Sequence, residues 1–182
     1  MGQSTIAVIV GSLRKESFNQ KLANALVRLG PPDFTFTQLR IDDVPPYNQD
    51  DDGHQSAPVQ RLKAAIVGAQ GVLFVTPEYN RSIPGVLKNA IDHASRPYGH
   101  SAWAGKPAGV IGASVGAIGT AMAQQHLRNV LAYLDMPTLG QPEAFIHAKE
   151  GLWDAEGNIA AGSKDFLQSW MDRYVAWVQK HA

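Results

Sequence analysis

The chain has 182 residues, of which 45% are hydrophobic and 18% are charged, and its 16 basic residues balance its 16 acidic residues. This composition is typical of a globular protein and excludes a disordered chain, and the zero net charge argues against broad electrostatic attraction to nucleic acid or to an anionic membrane. No cysteine is present, which excludes disulfides, thiolate nucleophiles and thiolate-bound clusters, so any redox chemistry has to come from a bound cofactor.

Apolar runs alternate along the chain with segments of helical periodicity. Apolar runs predict β-strands at residues 6–10, 71–75 and 108–113. The alternating residues 34–37 predict a strand nearer the sheet edge, and residues 136–139 are a short candidate for the fifth strand. Apolar side chains three and four positions apart predict helices within residues 18–29, 59–66, 84–94, 118–134 and 164–179. The alternation predicts a doubly wound α/β fold with a parallel sheet between two layers of helices. No repeat or linker is visible, so residues 1–182 are expected to form a single domain.

The sequence also gives an expectation about location. No basic region followed by a signal-peptide core opens the chain, and no apolar stretch approaches the roughly 20 residues that cross a bilayer. A cytoplasmic protein is expected. The six histidines are scattered without metal-ligand spacing, so no metal site is predicted.

Residues 11–19, the phosphate loop, follow the first buried run and lead into a helix. Gly11 allows a sharp departure from the strand, and Ser12, Ser17 and Asn19 supply short polar side chains, with Arg14 adding a cation. Such donors at a helix N-terminus suit a phosphate group. The loop has neither the Walker A ending nor the G-x-G-x-x-G fingerprint. A purely structural alternative, in which Ser17 or Asn19 only caps the helix, stays open.

Residues 77–85, the ring loop, follow the third strand in the same way. Pro77 stiffens the turn, and the backbone amides of Glu78, Tyr79 and Asn80 are predicted to face the heteroatoms of a flat aromatic ring. Parallel α/β sheets bind ligands at the carboxyl ends of their strands. The two loops together favour a phosphorylated aromatic cofactor, with flavin mononucleotide (FMN) as the leading candidate.

Three segments resemble the NAD(P)H-dependent FMN reductase family, which includes soluble quinone and chromate reductases. They are Gly-Ser-Leu-Arg-Lys-x-Ser-x-Asn, Pro-Glu-Tyr-Asn-x-Ser-x-Pro-Gly-x-Leu-Lys-Asn-Ala-Ile-Asp and the Ala-Gly-Lys-Pro before the fourth strand. The similarity extends from residue 6 to about residue 143. It implies a flavodoxin-like three-layer sandwich with strand order 2-1-3-4-5 and non-covalently bound FMN. It also implies NAD(P)H-dependent reduction of quinones, azo dyes, nitro compounds, metal oxyanions or free FMN.

The resemblance also implies which residues contact the cofactor. The phosphate would be held by Ser12, Arg14, Ser17 and Asn19, on the turn that Gly11 begins. The ring and ribityl chain would be bordered by Pro77, Glu78, Tyr79, Asn80, Ser114 and Gly116. Arg81 occupies a variable family position and is expected to face the nicotinamide or the substrate.

The implied mechanism is ping-pong hydride transfer through flavin N5. Hydride transfer between stacked rings depends on proximity and alignment, so no catalytic side chain is predicted. The family also implies a homodimer or a tetramer formed through residues 89–100 and the fourth helix. Two alternatives stay open: a flavodoxin-type electron carrier without its own NAD(P)H turnover, and a scaffolding protein that has lost the flavin. Carriers of that type are usually strongly acidic, and this chain is neutral.

Overall fold

Five parallel β-strands form one sheet with helices against both faces, in a computed structural model that describes residues 3–182. The strands are β1 (Ser4–Val10), β2 (Phe34–Gln38), β3 (Gly71–Val75), β4 (Ala108–Ser114) and β5 (Phe145–His147). The α-helices are α1 (Phe18–Val27), α2 (Ala57–Gly68), α3 (Gly85–Ala94), α4 (Ala121–Tyr133) and α5 (Ala161–His181). The strand order β2-β1-β3-β4-β5 confirms the predicted flavodoxin-like sheet.

The central strands are continuous apolar runs because both of their faces are covered. Successive side chains of a strand point to opposite faces. Accordingly, Ile6 and Val8 of β1 belong to a core cluster that includes residues of α1 and α5. Ala7 and Ile9 belong to a second cluster, which includes residues of α2, α3 and α4. Burial on both faces fixes the register of β1, β3 and β4, whose carboxyl ends carry the candidate site.

The fifth strand was predicted in the wrong place, because β5 lies at Phe145–His147 and not at residues 136–139. The earlier segment instead runs beside the start of β4, where the Leu139 N–H donates to the Ala108 carbonyl and the Ala108 N–H donates to the Pro137 carbonyl. Pro137 has no N–H to extend this ladder. The true strand escapes a sequence search because it has three residues and only Ile146 is buried.

The fourth helix begins later than predicted. It starts at Ala121, whereas the apolar pattern predicted a start near Ile118. Gly119 has a positive φ of 59°, which no helical residue adopts, and the Ile118 side chain is exposed. Residues 115–120, the third loop, therefore belong to the edge of the sheet. None of the helices within residues 3–182 is both long and apolar enough to cross a membrane.

Candidate functional site

Three loops meet at the carboxyl edge of the sheet. Val10 at the end of β1 pairs with Val75 at the end of β3, and Val75 pairs with Ile111 of β4. The phosphate loop, the ring loop and the third loop therefore begin side by side at one edge. All of the site residues predicted from the sequence lie on these three loops or on the strand and helix ends beside them. This edge is where open α/β sheets bind their ligands.

The phosphate loop and the ring loop touch at their starting points. The Gly11 N–H donates to the Val75 carbonyl at 2.9 Å, which extends the pairing of β1 with β3 by one residue. A Cβ atom at Gly11 would lie 3.1 Å from Leu87 Cδ2, 3.2 Å from Thr76 Oγ1 and 3.3 Å from Pro77 Cδ. The absence of a side chain therefore lets the two loops lie against each other.

Ser17 is the N-cap of α1, as the structural alternative predicted. Its backbone is extended (φ −69°, ψ 125°), and its hydroxyl oxygen accepts a hydrogen bond from the Gln20 N–H at 3.2 Å. A hydroxyl group still has its own hydrogen to donate. The first N–H groups of a helix have no partner within the helix and attract anions. Capping by Ser17 is thus compatible with a phosphate at this helix start.

Asn19 ties α1 to the sheet. Its side-chain amide donates to the Ala113 carbonyl and accepts from the Ala113 N–H, both at 2.9 Å, and only 3% of the residue is exposed. One of its two amide hydrogens is used in this pair. The contact joins positions 94 residues apart and fixes the start of α1 over the end of β4. Asn19 is thus a structural anchor of the site.

The exposed residues of the phosphate loop supply donors and a cation. The Arg14 N–H approaches the Ser12 hydroxyl oxygen at 3.4 Å, and the Arg14 guanidinium carbon lies 5.4 Å from the centroid of the Phe18 ring. Glu16 pairs with Lys21 on α1, with 3.3 Å between the charged atoms. The acidic side chain of this loop is therefore paired with a lysine of α1 at the protein surface. The donors that remain suit an anionic ligand.

The ring loop contains a tight turn. The N–H groups of Tyr79 and Ser82 each donate to the other residue's carbonyl, at 2.9 and 3.0 Å. The two residues between them, Asn80 and Arg81, have φ values of 51° and 67°. Two consecutive positive φ values define a type I′ turn. Asparagine tolerates this conformation, whereas arginine adopts it at a cost, and strain of this kind concentrates at functional sites.

Glu78 connects the ring loop to α4. Its Oε2 atom accepts hydrogen bonds from the N–H groups of Met122 and Ala123, at 3.0 and 3.1 Å. The N-cap residue of α4, Thr120, makes no capping bond of its own. Glu78 therefore caps α4 from a loop 44 residues earlier in the chain. Sequence reasoning missed this role because no local pattern reveals it.

Two further contacts hold the ring loop and the third loop in place. Ser82 and His126 of α4 are joined through the serine hydroxyl oxygen and the histidine Nδ1, 3.0 Å apart. The Ser114 hydroxyl oxygen accepts from the Gly116 N–H at 3.0 Å. Gly112 also contributes to the site, and the sequence did not predict it. Only glycine fits there, because a Cβ atom would lie 2.0 Å from the Thr76 carbonyl oxygen. A glycine inside a buried strand is the signal that indicates such a close approach.

Large apolar side chains are exposed around the same edge. At least 49% of the surface of each is accessible, and one or two lie on each loop: Leu13, Tyr79, Val115 and Ile118. Exposed apolar groups grouped at a crevice with convergent polar groups are typical of a ligand site. Here they would suit a planar aromatic ligand. Apolar residues inside otherwise polar loops were the feature of the sequence that could have predicted these exposed side chains.

The fold defines a flavodoxin-like protein, in which the phosphate loop and the ring loop meet at the carboxyl edge of the sheet. The family model for NADPH-dependent FMN reductase matches residues 4–151, and the chain belongs to that family. It is therefore an oxidoreductase, and the predicted pair of FMN and a reduced nicotinamide nucleotide is confirmed.

Three relatives support the same conclusion. The 2-hydroxy-1,4-benzoquinone reductase of a Burkholderia species is 54% identical over 175 residues, covering 96% of each chain. A quinone reductase of Pseudomonas putida is 46% identical over 176 residues, covering 96% of this chain and 95% of the relative. The solved structure of FerB, a flavoenzyme NAD(P)H:(acceptor) oxidoreductase from Paracoccus denitrificans, superposes with a TM-score of 0.94 at 45% identity, covering 98% of each chain.

Proposed function

We propose that this protein uses FMN to carry electrons from NAD(P)H to quinones, in alternating half-reactions at one site. The observation that carries the proposal is the meeting of the phosphate loop and the ring loop at one edge of the sheet. The similarity to a quinone reductase and to a 2-hydroxy-1,4-benzoquinone reductase supports quinones as the principal acceptors. Azo dyes, nitro compounds, metal oxyanions and free FMN are proposed as further acceptors.

The phosphate loop would hold the FMN phosphate. The Ser17 hydroxyl hydrogen and the first N–H groups of α1 converge at one helix end, and Arg14 supplies a charge-assisted bond. Ser12 would add a hydroxyl donor. Asn19 would keep α1 in position through its pair with Ala113 and offer its second amide hydrogen. This donor set fits a dianion because the nearby carboxylate, Glu16, is paired with a lysine.

The ring loop would hold the flavin ring through its backbone. Pro77 and the turn at Tyr79 and Asn80 present amide groups, and the Ser114 and Gly116 backbone closes the other side. Arg81 would face the nicotinamide or the acceptor, since the turn holds it exposed beside the ring loop. Bound FMN supplies a hydride acceptor at N5 and a two-electron donor for the second substrate.

No side chain of the ring loop is needed as a general acid. The Glu78 carboxylate is occupied by two N–H groups of α4, so its contribution is to position the loop. Holding two flat rings in contact is the main requirement for hydride transfer. The exposed apolar side chains of the three loops would exclude water from the stacked rings.

A homodimer or a dimer of dimers is also proposed. Tyr98, after α3, and Tyr133, at the end of α4, are 86% and 85% exposed, and a cavity of about 430 Å³ lies between their segments. Exposed tyrosines of this kind are typical of interface residues. Light scattering at micromolar concentration is expected to show at least a dimer, and a monomer would contradict the proposal. The cytoplasmic location stays a prediction.

Steady-state kinetics with NADPH and a soluble quinone test the proposed activity. Parallel lines in double-reciprocal plots are expected, because the first product leaves before the second substrate binds. Intersecting lines would contradict the shared site. Binding of FMN without NADPH oxidation would favour the electron-carrier alternative, and a colourless protein that gains no thermal stability from FMN would favour the scaffolding alternative.

Comparing FMN with riboflavin tests the phosphate loop. We expect Arg14→Ala and Ser17→Ala each to weaken FMN binding by about 1–3 kcal/mol, the range for charge-assisted bonds. Riboflavin binding should change little, because riboflavin has no phosphate. Unchanged FMN affinity in both variants would contradict the assignment.

A further inference from the structure

Residues 152–160, the C-terminal hairpin, lie between β5 and α5 and follow the segment that the family model matches. Trp153 and Ile159 form an antiparallel bridge, and the Asp154 N–H donates to the Asn158 carbonyl at 2.9 Å. Arg28 at the end of α1 donates to the Glu156 carbonyl at 2.9 Å. The hairpin is therefore a folded unit that is fastened to α1.

The hairpin places an aromatic ring beside the phosphate loop. The Trp153 and Phe18 rings are stacked, with their centroids 6.0 Å apart and 8° between their planes. Phe18 is the first residue of α1, and the Arg14 guanidinium carbon lies 5.4 Å from the centroid of the same ring. A guanidinium group at this distance from a ring is attracted by its π electrons.

An exposed arginine on a loop samples many rotamers, and ordering it on binding costs conformational entropy. A ring that already holds the guanidinium group reduces this cost, because part of the ordering is complete before the ligand arrives. The Phe18 ring is in turn held in place by Trp153. The three side chains thus form a contiguous stack from the C-terminal hairpin to the phosphate loop.

We propose that Trp153 and Phe18 are positioning residues that preorganise Arg14 for the phosphate of FMN. The C-terminal hairpin is then a part of the cofactor site, and it acts through Arg14, which lies 139 positions before Trp153 in the sequence. This inference rests on the proposed function, which places the FMN phosphate at Arg14. It assigns Trp153 no direct contact with FMN.

A double-mutant cycle on the dissociation constants of FMN and riboflavin tests the proposal. The measurements use the full-length apoprotein, with flavin fluorescence quenching as the readout. We expect Trp153→Ala to raise the FMN dissociation constant by about twofold to fivefold, the range of a cation–π contact at an exposed site. The riboflavin constant should stay unchanged. In an Arg14→Ala background, Trp153→Ala should have no further effect on FMN binding.

Two variants separate positioning from other roles of Trp153. Trp153→Phe keeps an aromatic ring but lacks the indole N–H, so it should retain the wild-type FMN constant. Phe18→Leu keeps an apolar side chain but lacks a π face, so it should weaken FMN binding as Trp153→Ala does. The control is Trp177→Ala on α5, where the indole donates to the Pro137 carbonyl. This variant should leave both constants unchanged.

Additive effects of Trp153→Ala and Arg14→Ala would overturn the proposal, and so would equal weakening of FMN and riboflavin binding. If Trp153→Ala unfolds, the Phe18→Leu variant in the Arg14→Ala background gives the same test. Wild-type protein that does not prefer FMN over riboflavin would instead contradict the proposed phosphate site itself. The failure of this inference and that of the proposed function are thus distinguishable.

Discussion

Replacing Glu78 tests whether the ring loop is held through the N-terminus of α4. In Glu78→Ala, the N–H groups of Met122 and Ala123 lose their shared acceptor, at 3.0 and 3.1 Å in the wild type. Thr120 offers no replacement, because its hydroxyl oxygen accepts from the Gln124 side chain at 3.0 Å. The start of α4 is then left without a side-chain cap.

The expected loss can be worked out from these contacts. Removing an N-cap acceptor costs about 1 kcal/mol, within a range of roughly 0.5–2 kcal/mol. Removing a negative charge from the positive end of the helix dipole costs about 0.3–1 kcal/mol more. We therefore expect Glu78→Ala to lower the free energy of unfolding by about 1–3 kcal/mol. Glu78→Gln keeps an acceptor oxygen and loses only the charge, so its free energy of unfolding should fall by about 0.3–1 kcal/mol.

Urea unfolding of the apoprotein measures these differences without any contribution from FMN binding. Exposed Glu150, converted to alanine, is the matched control and should stay within about 0.5 kcal/mol of the wild type. In the FMN-loaded protein, Glu78→Gln should retain quinone turnover, because the carboxylate positions the loop and transfers no proton. A Glu78→Ala variant as stable as the wild type would refute the capping role. Loss of turnover in a stable Glu78→Gln variant would refute the positioning role.

Three other predictions follow from the geometry of the site and of the C-terminal hairpin. Gly112→Ala would place a Cβ atom 2.0 Å from the carbonyl oxygen that precedes the ring loop, so the free energy of unfolding of this variant should fall by about 2 kcal/mol or more in a urea titration. The control is Gly140→Ala, whose added Cβ atom would meet no atom within 4 Å and should change the free energy of unfolding little. Arg81→Gly should raise the unfolding free energy by about 0.5–1 kcal/mol, since relief of the positive φ exceeds the added chain entropy, and a loss of stability would contradict strain there. A hydrogen bond from the Asn158 side chain lowers the pKa of the Asp154 carboxyl from its ordinary value of 3.8, so this pair stabilises the protein above that pH, and the stabilisation is lost as the pH falls through the lower folded-state pKa. The stability of Asp154→Asn against acid unfolding should therefore depend less steeply on pH below 3.8 than that of the wild type. Identical curves for the two proteins would contradict this prediction.

Much of the fold follows from local patterns. The central strands are recognisable because burial on both faces requires continuous apolar runs, and the loops after β1 and β3 are recognisable by their position behind those runs. The edge strand β5 is not, because three residues with a single buried side chain, Ile146, carry no usable periodicity. The nearby residues 136–139 have two buried apolar side chains, Met136 and Leu139, and pair with the start of β4.

The type of ligand could be predicted from the sequence, but the hydrogen-bond partners of the site residues could not. Donor-rich loops predicted a phosphate and a ring, yet the actual partners of Asn19 and Glu78 lie 94 and 44 residues away along the chain. Contacts over such separations depend on the packing of the sheet and have no local signature. The positive φ of Arg81 was also hidden, because arginine gives no turn signal of the kind that glycine or asparagine gives.

An anaerobic spectral titration tests the central claim, that FMN bound at this edge passes electrons from NAD(P)H to a quinone. Protein loaded with FMN should show the visible absorption bands of oxidised flavin. Stoichiometric NADPH or NADH should bleach these bands, and a soluble quinone added afterwards should restore them. Protein that takes up no FMN, or whose flavin bands persist with both nicotinamide nucleotides, would contradict the claim.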